Sequence, residues 1–106
     1  MITIKVRKKN GSYEEFISKG HAGYAEAGQD IVCAAVSALI INTVNSLEKF
    51  TDDKFDVQEE DGFVSIHFRN DLSERGMLLM DSLLLGLTEI AGSYNNRYLT
   101  VKVKEV

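Results

Sequence analysis

Ile2, Ile4 and Val6 alternate with Thr3, Lys5 and Arg7, the period-two pattern of a strand buried on one face, over residues 2–8. Asn10-Gly11 follows; both residues tolerate positive φ, so the pair closes a tight hairpin. Tyr13–Ser18 returns as a second strand. The period then changes. From Ile31 to Phe50 the residues Val32, Val36, Leu39, Ile40, Thr43, Val44 and Leu47 form one apolar stripe at helical spacing. Residues 55–60 and 63–69 read as a second hairpin around Asp61-Gly62, with Val64, Ile66 and Phe68 on one face and Ser65, His67 and Arg69 on the other. Asp71-Leu72-Ser73-Glu74 has the spacing of a capping box with Asp in the capping place, which predicts a second helix running to about Tyr94. Tyr98–Val103 closes the chain as a fifth strand.

The order ββαββαβ predicts an α+β fold: a two-layer α/β sandwich with two long helices packed on a five-stranded mixed sheet. A chain of 106 residues has room for one core, so residues 1–106 form a single domain. The two ββα halves are similar in length, without a residue-level repeat. The second helix is apolar on more than one side, through Leu79, Met80, Leu83, Leu84, Leu85, Leu87 and Ile90. Two readings stand: a deeply buried helix, or surplus leucines that form a two-fold homodimer interface.

Charge and composition narrow the function. The net charge is −4 and the isoelectric point is near 5.1, which argues against direct nucleic-acid binding. The small cluster Lys5, Arg7, Lys8 and Lys9 reads as the solvated face and turn of an edge strand. One cysteine makes no intramolecular disulfide, so a reducing cytoplasm is the expected setting. The N-terminus alternates and lacks the apolar core of a signal peptide. The greasy stretch Met77–Leu87 is broken by Asp81 and Ser82 and is shorter than a bilayer span, so no membrane partner is expected. One Cys and two scattered His make no zinc pattern, and no metal or other cofactor is expected.

The chemistry concentrates between Gly20 and Ser37. Asp30 is placed to cap the first helix, which puts the lone Cys33 in its first turn, where unpaired N–H groups and the macrodipole favour an anion. Those N–H groups are also candidates to receive an oxyanion. His21 leaves the second strand beside the helix start and is a candidate base for the thiol. Gly20, Gly23 and Gly28 make the intervening loop a candidate flexible lid. Each residue has a plainer reading: Cys33 as a small buried hydrophobe, and His21 as a loop histidine. Asp30 could cap or orient His21, and Ser37, one turn beyond Cys33, could serve the site or bond back to its own helix. His67 reads as ordinary surface.

Gly20-His21-Ala22, Gly28, and Asp30-Ile31-Val32-Cys33-Ala34-Ala35-Val36-Ser37-Ala38 resemble the signature of the bacterial ribosomal-processing cysteine protease Prp family. Length, element order and the leucine-rich second helix agree with it. The resemblance implies a cytoplasmic, homodimeric endopeptidase that removes the short N-terminal extension of a large-subunit ribosomal protein, an extension that is apolar and ends in aromatic residues at the cut. By matching position it implies Cys33 as nucleophile, His21 as base and proton donor, and supporting roles for Asp30 and Ser37, with no cofactor. A non-catalytic ribosome-assembly or binding module is the alternative, and a thiol-redox enzyme lacks a resolving cysteine in the chain.

Overall fold

The computed structural model describes all residues, Met1–Val106. Its order is β1 (Ile2–Lys9), β2 (Ser12–Lys19), α1 (Ile31–Phe50), β3 (Phe55–Glu60), β4 (Phe63–Phe68), α2 (Glu74–Ser93) and β5 (Leu99–Glu105). The five strands form one sheet in the order β3-β4-β2-β1-β5. Four strands pair antiparallel, and β5 runs parallel to β1 at the far edge, which makes the sheet mixed as expected.

Both helices lie on the same face of this sheet. Ile4, Val6, Phe16, Ile66 and Leu99 point up from the strands and meet Val32, Val36, Ile40 and Leu47 of α1 and Met80, Leu83, Leu87 and Ala91 of α2. Each helix is 20 residues long and apolar enough to cross a bilayer by length and composition, with windows of mean hydropathy 1.6 and 1.2. The apolar stripes are instead turned into this core, which accounts for their composition. The leucine surplus on α2 divides: Leu83 and Leu87 are buried, while Leu78 and Leu85 are exposed.

Two local features differ from the periodic reading. In β2 the pairing with β1 shifts between Arg7 and Lys8, so Glu14 is an extra residue, a bulge that lets Tyr13 and Phe16 both face the core. The Tyr13 hydroxyl then donates to Asp81 on α2 at 2.5 Å. Burial, reinforced by that carboxylate, pushes the phenol above its ordinary pKa. The second correction concerns α2, which is capped by Ser73 and not Asp71. Ser73 Oγ accepts from the Gly76 N–H at 3.1 Å. Asp53 selects that residue from a distance, accepting from the Ser73 N–H at 2.9 Å and its hydroxyl at 2.7 Å.

β3 is the strand the helices do not reach. Phe55 alone is half-buried and Asp56 to Glu60 are exposed, Val57 included. This leaves a gap between the side of α1 and the β3–β4 hairpin.

Leu87 is fully buried between α2 and the sheet. Leu87→Ala is expected to lower stability by about 2–5 kcal/mol, read as a lower urea midpoint at unchanged slope.

Candidate active site

β2 delivers the chain to the gap. Gly20 has φ 101°, and a Cβ there would lie 2.3 Å from the Met1 carbonyl oxygen, so only glycine makes this exit without displacing backbone. Its N–H donates to the Gly62 carbonyl at 2.8 Å, extending the β2–β4 pairing by one step. His21 therefore emerges beside the Asp61-Gly62 turn. Its side chain is 64% exposed, with Nε2 3.8 Å from Asp61 Oδ2. A Cβ on Gly62 would come within 2.7 Å of Nε2, so the absence of a side chain there makes room for the ring.

Cys33 comes from the other wall. Asp30 caps α1 as its sequence position predicts: Oδ1 accepts from the Val32 and Cys33 N–H groups, each at 3.0 Å. Its Oδ2 accepts from the Tyr24 N–H at 3.1 Å, which ties the loop to the helix start. The bond from the Cys33 N–H first, and then that from Tyr24, holds the Asp30 carboxyl below its ordinary pKa. Asp30 makes no contact with His21, whose nearest carboxylate is Asp61. The half-buried Cys33 Sγ accepts from the Ala22 N–H at 3.2 Å. That bond joins the residue next to the histidine directly to the sulfur, although no hydrogen bond links the imidazole itself to Sγ.

The loop has a docked position. Tyr24 packs edge-on against Tyr94 and Tyr98 with ring centroids 5.6 and 5.2 Å away, and those two rings are 5.5 Å from each other. The loop is thereby held over the junction of α2 and β5.

His21, Cys33, Ser37 and Gly20 line a single cavity of about 700 Å³ between α1 and the β3–β4 hairpin. The α1 wall is mainly apolar, from Val36, Ile40, Ile41 and Val44, while the hairpin wall mixes Val57 and Phe63 with the carboxylates of Glu59, Glu60 and Asp61. Asp30 stands behind the site as a cap, and Gly23 and Gly28 lie outside the cavity lining. Ala22 is visible in the sequence only as part of the Gly20-His21-Ala22 signature, and Asp61 and Gly62 are not visible as site residues. Asp61-Gly62 reads only as a turn, and its approach to His21 follows from the pairing of Lys19 with Phe63 across the sheet.

Two outcomes follow from this geometry. Asp30→Ala is expected to destabilise the fold near neutral pH by freeing three N–H groups. Because the folded carboxyl titrates below its unfolded value, its contribution is complete above the unfolded pKa of about 4 and is lost as pH falls through the lower folded value. Thermal melts of the two proteins should thus converge in acid. Tyr24→Ala removes two aromatic contacts of about 0.5–1.5 kcal/mol each, and amide exchange across residues 22–29 should rise roughly tenfold.

Comparison with known proteins places this geometry in a family. The sequence model described as Cysteine protease Prp matches residues 1–99. The ribosomal processing cysteine protease Prp of Staphylococcus aureus (strain Mu50 / ATCC 700699) is 31% identical over 98 residues, covering 90% of this chain and 92% of that protein. The crystal structure of the essential ribosomal processing protease Prp from S. aureus with a covalently linked product peptide superposes with a TM-score of 0.93 at 29% identity, covering 98% of this chain and 100% of that one. The same S. aureus protease in complex with a substrate peptide gives 0.86 at 28% identity, with the same coverage. The chain belongs to the Prp family of ribosomal-processing cysteine proteases.

Proposed function

We propose that Cys33 and His21 are the catalytic dyad of an endopeptidase that trims the short N-terminal extension of a large-subunit ribosomal protein in the cytoplasm. The observation that carries this reading is the joint placement of a first-turn helix cysteine and a histidine on one cavity, coupled through the Ala22 N–H to Sγ bond. The apolar α1 wall suits apolar side chains of an extended peptide, and the Glu59, Glu60 and Asp61 carboxylates opposite it suit backbone or basic groups. The S. aureus relative has been crystallised with a covalently linked product peptide and with a substrate peptide, which supports a peptide-cleaving role for this fold.

In this mechanism His21 takes the Cys33 proton and Sγ attacks the scissile carbonyl, forming a tetrahedral intermediate. The C–N bond breaks as His21 returns the proton to the leaving amine. Water, deprotonated by His21, then attacks the thioester, releasing the new carboxylate and restoring the thiol. The Val32 and Cys33 N–H groups are occupied by Asp30, so the donor we assign to the oxyanion is the Ala22 N–H, which is held at the sulfur and passes to the neighbouring oxyanion as Sγ loses its charge in forming the S–C bond. Ser37 lies on the Cys33 face of α1 and lines the cavity, where its hydroxyl meets the peptide. The glycine loop opens from its docked position to admit the extension. We further infer a two-fold homodimer through the exposed Leu78 and Leu85 of α2, which light scattering at micromolar concentration would refute by showing a monomer.

The deciding experiment is intact-mass analysis of the extended precursor after incubation with each protein. Wild type should remove the N-terminal peptide and Cys33→Ala should not, at unchanged melting temperature; cleavage by the variant would overturn the assignment. His21→Ala should slow cleavage about 100- to 10,000-fold. Gly62→Ala should also slow it by crowding the imidazole, whereas Gly11→Ala, at a positive-φ turn glycine with open space around it, should not.

A further inference from the structure

The face of the sheet opposite the helices is uncovered, and its cations gather on β1 and β5, bordered by Glu15 of β2 opposite Arg7. Lys5 and Arg7 of β1 alternate outward from the buried Ile4 and Val6. In the parallel β1–β5 pairing Lys5 stands directly beside Lys102, and Arg7 beside Lys104. The four cations border a shallow groove together with Val6, Ile17 and Glu15. Lys5, Lys102 and Lys104 have no acidic side chain within 4.0 Å, and Arg7 reaches only Glu14, at 3.7 Å.

This arrangement is costly for the isolated fold, because like charges directly opposite each other in a sheet are destabilising. Lysines on β5 alone would be explained as protection of an edge strand. Lys5 and Arg7 have no edge to protect, since β1 is hydrogen-bonded on both sides. Their spacing fits a repeating anion. Alternate residues on a strand are about 7 Å apart, close to the separation of successive phosphates along a nucleic-acid chain, and the second row lies about 5 Å to the side. The face has no aromatic side chain among these cations, so it offers ionic contacts to phosphate and no platform on which bases stack.

We propose that the β1–β5 face of the sheet, through Lys5, Arg7, Lys102 and Lys104, docks the phosphate backbone of RNA without sequence preference. The net charge of −4 argues against nucleic-acid binding only if charge is evenly spread, and here it is not. The choice of RNA over DNA rests on the proposed ribosomal substrate, which is surrounded by RNA. The groove shares no residue with the catalytic cavity, so a docked strand leaves the cleft open to the peptide.

Fluorescence anisotropy with a labelled single-stranded oligouridine tests this. Binding should weaken about 50-fold between roughly 50 and 200 mM salt, the dependence of four phosphate contacts on single strands. The double variant Lys5→Glu/Lys102→Glu should lose at least about tenfold in affinity, while Lys49→Glu, on the far end of α1, should not change it. Cleavage of the precursor peptide, measured in parallel, should be unaffected by all three substitutions. That readout separates a failure here from a failure of the protease assignment and shows that the variants fold. Lys5→Gln/Lys102→Gln provides the same test should charge reversal unfold the sheet. Absent RNA binding at the lower salt, undiminished binding by the double variant, or binding to phosphatidylserine vesicles in place of RNA would each overturn the proposal.

Discussion

Two helices on one face of a five-stranded sheet leave part of that sheet uncovered, and this shortage of cover organises the molecule. α1 and α2 bury the inner face of the central strands and of β5, where Ile4, Phe16, Ile66 and Leu99 are almost fully enclosed. They do not reach β3, whose residues beyond Phe55 are exposed on both faces. The gap between α1 and that strand is the cavity that His21 and Cys33 line. The opposite face has no cover at all, and there the outward positions of β1 and β5 carry their cations.

Within the gap, few contacts do most of the positioning. The Asp30 carboxylate satisfies two N–H groups of the helix start and one of the loop, so a single charged cap holds Cys33 and Tyr24 together. The Gly20–Gly62 backbone bond holds His21 against the hairpin turn. The Ala22 N–H then bridges the two sides at the sulfur. A carboxylate used in this way leaves the helix terminus with fewer free donors for an oxyanion, which is why the proposed mechanism gives that role to the loop backbone. The absence of an imidazole–sulfur hydrogen bond is compatible with catalysis, since such bonds often form fully only with substrate in place.

The comparison between what the pattern predicts and what the fold contains is instructive at particular residues. The two hairpins, the two amphipathic helices and the Asp30 cap are local features, and alternation, helical spacing and capping chemistry sufficed to place them. The start of α2 was misplaced because Asp71 and Ser73 are both good caps; Asp53, twenty positions away in the chain, decides between them through hydrogen bonds to Ser73. The Glu14 bulge was equally hidden, since one extra residue in β2 has meaning only against the register of β1. The cysteine and histidine were legible as candidates from their neighbours and their resemblance to a family signature. Their plainer readings, a core thiol and a loop histidine, are local ones; that both residues line one cavity is visible only in the fold.

By itself the sequence determined the element types and their order, the helix cap that sets Cys33 in a first turn, and the membership that its Gly-His and Asp-x-x-Cys-Ala spacings suggest. These depend on residues within one or two turns of each other, where backbone geometry leaves few alternatives. Only the tertiary structure decided that Asp61 and Gly62 flank His21, that Tyr24 docks on Tyr94 and Tyr98, and that Lys5 and Arg7 stand beside Lys102 and Lys104. Each of those meetings depends on strand register and on the crossover that carries β5 to the far edge. Such long-range pairings are fixed by the burial of the whole core, and no local pattern encodes them.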